Sequence, residues 1–139
     1  MKLLCFQAKR FHWETHSKTL PTAADLTAAE EVCETLVVFI HAEASDAADS
    51  RTVAVQRQSF KHIKWLANKR ELKNIVLHSF AHLGGDTASP GFAETFITAL
   101  AERLRSTGYQ VWITPFGYFC SWDISVYGDS LAKVWKEIH

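Results

Sequence analysis

The chain has 139 residues, with 15 Lys and Arg against 15 Asp and Glu, 47% hydrophobic and 12% aromatic. That length makes a single domain able to bury a core without disulfide or metal staples, and the balanced charge with few Pro and Gly excludes disorder, collagen and coiled coil. No run of about 18 apolar residues offers a membrane-spanning helix, Met1–Phe6 is too short for a signal peptide, and zero net charge speaks against gripping nucleic acid by bulk electrostatics.

Leu3–Ala8 reads as a first strand, with Phe11–Thr15 as its hairpin partner. Residues 17–30 read as a loop in which Asp25 or Thr27 caps a short helical turn. Thr35–His41 is the clearest strand, β-branched and nearly unbroken, so expected to be buried on both faces. Asp49 or Ser50 opens a helix to about Arg70, with Val53, Phe60, Ile63 and Ala67 on one face.

Asn74–His78 is a further buried strand, running into Ser79-Phe80-Ala81-His82-Leu83 and a Gly84-Gly85-Asp86 loop. Ser89-Pro90 gives an N-cap and a first-turn proline for a helix carrying Phe92, Phe96, Leu100 and Leu104 to Gly108. Tyr109–Ile113 is a strand, Pro115-Phe116-Gly117 a turn and Tyr118–Tyr127 another strand. After Gly128-Asp129-Ser130 a final helix is expected, with Leu131, Val134, Trp135 and Ile138 on its face. Alternating strands and helices make a single α/β domain with a mixed β-sheet and packed helices.

The three cysteines, Cys5, Cys33 and Cys120, are odd in number and form no CxxC pair, which is the pattern of reduced cytosolic thiols. Cys5 and Cys33 lie among apolar neighbours and read as core. Charge is segregated: residues 21–50 hold seven acids and no Lys or Arg, and residues 51–73 hold seven basic residues against Glu71. The basic helix reads either as a solvated face or as a local surface for RNA phosphates.

Enzyme signatures are few. The chain lacks GxSxG, the GxxxxGK[ST] phosphate loop, GxGxxG and HExxH. His78 and His82, like His12 and His16, are spaced i, i+4 on strand or loop, where that spacing does not converge, so no metal site and no cofactor are expected. Two segments stand out where buried strands enter loops: His78–Leu83 and Pro115–Ser121.

Phe80-Ala81-His82-Leu83, the helix after Pro90, Gly108-Tyr109-Gln110-Val111, Pro115-Phe116-Gly117-Tyr118, and Gly128 before Leu131-Ala132 resemble the amino-terminal editing domain of archaeal threonyl-tRNA synthetases. Met1–Leu4 and Leu36–Ile40 fit the same pattern, and the likeness covers essentially the whole chain. The resemblance implies the fold of D-aminoacyl-tRNA deacylase and hydrolysis of serine wrongly attached to threonine tRNA. Such an error needs a second site, because a missing methyl is worth only about 1–3 kcal/mol of discrimination. The labile ester needs a positioned water and oxyanion stabilisation, without cofactor or covalent nucleophile.

The resemblance places Ser79, Phe80, Ala81, Phe116, Gly117, Tyr118 and Phe119 against the substrate, with His82 on the family's pocket histidine. Several positions depart from the family, among them Phe119 for a tyrosine and Ser79 for the proline before Phe80. Where its pattern has a catalytic lysine this chain has Cys120, where it has a glutamate in the last helix this chain has Lys133, and Gln7-Ala8-Lys9 replaces an early His-Ser-Asp. Lys133 restoring the ammonium across from Cys120 would make Lys133→Ala lose at least about tenfold in rate; a Cys120 thiolate beside a lysine is the weaker alternative. The length implies an editing domain standing alone in the cytoplasm, meeting the 3′ aminoacyl end of tRNA in trans, with the five tryptophans and Phe119 offering surfaces for the terminal adenine. The fold family further implies a homodimer. The rival readings are an inactive module that binds tRNA, a nucleotide or a synthetase partner, and chiral proofreading of D-aminoacyl esters.

Overall fold

A computed structural model describes all residues from Met1 to His139. Six strands, β1 (Lys2–Lys18), β2 (Ala29–His41), β3 (Asn74–Ser79), β4 (Gln110–Ile113), β5 (Tyr118–Val126) and β6 (Lys133–Glu137), form one mixed sheet with helices α1 (Asp49–Asn68) and α2 (Pro90–Arg105). The order is β4-β3-β2-β1-β5, and β6 also pairs with β1. β2, β3 and β4 run parallel, joined through α1 and α2, and all other pairings are antiparallel.

Two clusters flank the sheet. Both helices press Val55, Ile63, Leu66, Phe96, Leu100 and Leu104 onto Leu3, Cys5, Leu36, Val38, Ile40, Ile75 and Leu77. On the other face Phe11, Trp13, Val37, Phe39 and Val76 form a smaller cluster that Leu4, Phe6, Phe80 and Trp112 extend. Strand periodicity explains the division: along β2 the residues 36, 38 and 40 face the helices, and 37 and 39 face away. Thr35–His41 is buried throughout, as its apolar run predicts.

β1 is one strand of 17 residues, where the sequence suggested a hairpin within it. Lys9-Arg10 carries no turn chemistry, and the apolar alternation simply resumes at Phe11 after a register shift between Ala8 and Arg10. Its hairpin partner is therefore β2, reached through residues 19–28, which contain no helical turn.

The expected final helix is instead a short 3-10 turn, Ser130–Ala132, followed by β6. β5 reaches only as far as Ala8, which leaves Lys2–Phe6 with an open edge, and β6 occupies that edge from Glu137 opposite Lys2 to Lys133 opposite Phe6. An unpaired edge next to a chain with alternating Val134 and Lys136 decides for strand.

Smaller differences have local causes. Cys33 is exposed, because Glu34 takes positive φ (49°) and interrupts the alternation just before the buried run. Val53 is 73% exposed, and the buried face of α1 is Val55, Ser59, Ile63, Leu66 and Ala67. α2 starts as read: Pro90 sits in the first turn and the Ser89 hydroxyl accepts from the Phe92 N–H at 3.3 Å.

Candidate active site

The C-terminal ends of β2 and β3, the segment after β4, the start of β5 and the first turn of α2 surround a cavity of 510 Å³. Ser79, Phe80, Ala81 and His82 line one side, and Phe116, Gly117, Tyr118, Phe119 and Cys120 another. The structure thus gathers nine of the ten site residues expected from sequence; Lys133 is the tenth. It also adds Trp122, His78, Thr114 and, from the loop after β1, Thr19 and Leu20.

The loop carrying His82 is pinned from below. The Leu83 N–H donates to His41 Nδ1 at 2.9 Å, so the other ring nitrogen carries the proton and donates to the Asp86 carbonyl at 2.6 Å. The Phe80 and Ala88 N–H groups donate to the Ile40 and Ala42 carbonyls, each at 2.9 Å. Between these anchors His82 is exposed, its ring edge-on to Phe80 at 5.1 Å, and neither ring nitrogen has a protein partner. The N–H groups of Ala81, His82, Phe116 and Gly117 likewise donate to no protein acceptor.

The opposite wall depends on a glycine. Gly117 has φ of 81°, a conformation side chains rarely adopt, and its carbonyl accepts from the Thr19 N–H at 2.7 Å. A Cβ there would lie 3.0 Å from the Ala23 Cβ. Gly117→Ala is expected to cost about 1–2 kcal/mol, read by urea denaturation. The Tyr118 hydroxyl donates to the Ala24 carbonyl at 2.5 Å and accepts from the Leu26 N–H at 2.9 Å. Its oxygen straps the 19–28 loop, so that only its ring is left to line the cavity.

An aromatic floor closes the site. Trp122 stands edge-on to Phe39 at 5.0 Å, to His78 at 5.2 Å and to Phe80 at 5.5 Å. His78 is 5% exposed; its Nδ1 shares a hydrogen bond with Thr114 Oγ1 at 2.7 Å, and burial pushes its pKa down to about 4, so the ring is neutral. Its Nε2 has no protein partner and opens on the cavity.

The lining contains no Asp, Glu, Lys or Arg. Burial pushes the half-buried Cys120 thiol up, and no cation stands in the wall to favour its thiolate. Lys133 does not reach this space: it is exposed on β6 opposite Phe6, and its ammonium donates to the Tyr127 and Gly128 carbonyls at 3.0 and 3.3 Å. Since it faces a turn and not the cavity, Lys133→Ala is expected to keep any deacylation within about twofold of the unaltered rate, measured by release of labelled amino acid.

The model of the archaea-specific editing domain of threonyl-tRNA synthetase matches residues 1–138. The chain belongs to this editing-domain family. The threonine–tRNA ligase of Methanosphaerula palustris is 32% identical over 139 residues, and that of Thermococcus kodakarensis 28% over 141; the match covers 99% of this chain and 22% of each relative. The chain thus spans about a fifth of the length of the curated relatives it matches. A solved structure of a c-Myc DNA unwinding element binding protein superimposes with a TM-score of 0.65 at 15% identity, over 100% of this chain and 99% of that one. That likeness shows the fold, which is of the D-aminoacyl-tRNA deacylase type. An editing domain carries a general role in tRNA editing. No helix is long and apolar enough to cross a membrane.

The sequence of this editing domain did not disclose the wall donated by the β1–β2 loop, nor which of its five tryptophans forms the floor. No local motif marks Thr19 and Leu20, whose place is set by the Thr19–Gly117 and Tyr118–Ala24 bonds. For Trp122 a signal existed, in that alternation from Tyr118 and Cys120 puts residue 122 on the same face.

Proposed function

We propose that the chain is an aminoacyl-tRNA deacylase that hydrolyses the ester joining serine to the 3′ end of threonine tRNA. The observation that carries this is His82. Among the titratable side chains lining the cavity it alone is open to solvent with both ring nitrogens unengaged, since the Tyr118 hydroxyl is tied to the loop, Cys120 is held protonated and His78 is buried. In this mechanism His82 takes a proton from a water, whose oxygen bonds to the ester carbonyl carbon. The unpaired N–H groups of residues 81–82 and 116–117 receive the oxyanion. Collapse expels the 3′-oxygen of the terminal ribose, and the imidazolium returns the proton to it.

The floor supplies selectivity for a side chain with a hydroxyl over one without, a feature that serine shares with threonine. The seryl hydroxyl can donate to or accept from His78 Nε2, so either tautomer of that ring serves it. The exposed rings of Phe119 and Trp122 (57% and 42%) receive the terminal adenine.

A panel of charged tRNAs tests the proposal. The chain is expected to release serine from Ser-tRNA(Thr) faster than threonine from Thr-tRNA(Thr), and His82→Ala to lose that activity. Release confined to D-aminoacyl esters would move the reading to chiral proofreading. No release above the uncatalysed rate from any L- or D-ester would leave an inactive binding module.

A further inference from the structure

The charge segregation has a structural outcome outside the cavity. Of the seven acids in residues 21–50, six have partners inside the protein: Asp25 with Lys18, Glu30 with Trp112, Glu31 with Arg10, Glu34 with Tyr127, and Glu43 and Asp46 with the Met1 amino group. Glu43 shows the strength of this engagement. Burial alone would raise its pKa, yet the Lys2 ammonium and the Met1 amino group bring it down to about 2. Most cations of residues 51–73 are left over. Only Arg51 and Arg70 of the 51–73 group meet a carboxylate, whereas Arg57, Lys61, Lys64, Lys69 and Lys73 meet none.

Two of these unpaired cations, Lys61 and Lys69, gather at one place with Lys136. Lys61 and Lys136, the latter reaching over from β6, flank a shallow groove of 290 Å³ whose other walls are Gln58, His62 and Trp65; no carboxylate lines it. The Trp65 indole is 46% exposed, the His62 ring lies against it at 5.8 Å with 31° between planes, and Lys69 Nζ stands 5.8 Å from its centre. His62 Nε2 is sealed from solvent and has no hydrogen-bond partner.

We infer that this groove between α1 and β6 is an RNA-binding site, in which Lys61 and Lys136 hold backbone phosphates and the Trp65 indole packs on an adjoining ribose or base. An exposed indole beside unpaired ammonium groups is the surface that a phosphodiester chain with apolar sugar and base faces complements. An acidic protein segment would match the charges alone. The inference rests on the proposed tRNA substrate for the identity of the RNA, and it assigns the body of that tRNA a surface separate from the cavity that takes its 3′ end.

Uncharged threonine tRNA is the probe, titrated by fluorescence anisotropy over a salt series. The chain is expected to bind it with a salt-dependent constant. The double variant Lys61→Ala with Lys136→Ala should weaken binding at least tenfold near 0.1 M salt and flatten the log–log salt slope by about 1.4–1.8, the release from two phosphate contacts. Trp65→Ala should weaken binding severalfold and leave the slope unaltered, and circular dichroism confirms that each variant is folded. Binding by the double variant with unaltered affinity and slope, or no salt-dependent binding by the unaltered chain, overturns the inference. Hydrolysis of the serine ester of adenosine, too small to span cavity and groove, is read on the unaltered chain. Its failure removes the deacylase reading without touching the result for the groove.

Discussion

His82→Ala is expected to lower kcat for serine release from Ser-tRNA(Thr) by roughly a hundredfold or more, with KM within about twofold. A positioned general base contributes about 10²–10⁴ in rate, and the other unpartnered ring nitrogen in the wall, His78 Nε2, is a poor base because burial holds its pKa down to about 4. The small expected change in KM follows from geometry. The aromatic floor, the backbone donors and the adenine-facing rings all remain in the variant, and a group that acts only in the transition state leaves ground-state binding alone. Stability should barely move, within about 0.5 kcal/mol, because His82 is exposed and its ring touches Phe80 at one edge. Added imidazole should restore part of the rate if proton transfer is the role that was removed. A variant rate within threefold of the original would sink the assignment, leaving the backbone donors to act on water without a base.

What the sequence disclosed and what it withheld divide along a physical line. Local chemistry was legible. Ser89-Pro90 begins a helix because a hydroxyl can accept from the first turn and a proline there loses no hydrogen bond; Gly117 marks a turn because its φ of 81° suits no side chain. Thr35–His41 is readable as a buried strand because continuous β-branched and aromatic residues have no other stable place. Properties that belong to pairs of distant segments were not legible. Nothing in Lys133–Glu137 states that Lys2–Phe6 has an open edge, so a pattern of Leu131, Val134, Trp135 and Ile138 compatible with helix became a strand only through its partner.

The same limit separates Lys133 from the cavity. Its place in a helix came from the apolar pattern and its place at the site from likeness; once the segment is a strand on β1, its ammonium meets the Tyr127 and Gly128 carbonyls. His41 shows the converse. As the last residue of a readable strand it looked unremarkable, yet its two ring nitrogens fix the loop that presents His82. Net charge misled for a related reason. A sum of zero counts carboxylates that the fold consumes internally on equal terms with ammonium groups that it leaves on the surface.

The other large effect is one of stability, and it comes from His78. The unfolded chain binds a proton at this imidazole near pH 6.5, whereas burial holds the folded ring neutral down to about pH 4. Because the folded pKa is depressed, the stabilisation is fully present above pH 6.5. It is lost as pH falls toward 4, where the unfolded state binds the proton that the native state refuses. Over that window the loss approaches roughly 3 kcal/mol, at up to about 1.4 kcal/mol per pH unit. His78→Phe removes this slope. The ring is held by Phe39, Trp122 and Phe80, so a phenyl keeps the packing, but the Thr114 hydroxyl, 4% exposed, loses its partner. The single variant should therefore be less stable at pH 7 by about 1–3 kcal/mol, and adding Thr114→Val should recover most of that. Urea denaturation at pH 7 and pH 5 reads both effects: the unaltered chain should lose more stability between the two than either variant. Equal losses in all three would show that His78 takes up its proton in the folded state as easily as in the unfolded one. The same variants bear on the floor's selectivity. With a phenyl ring in place of Nε2, the preference for a seryl ester over an alanyl ester should shrink by about tenfold, since a site that bonds a hydroxyl discriminates against its absence only while its own polar group is there to be left unpaired.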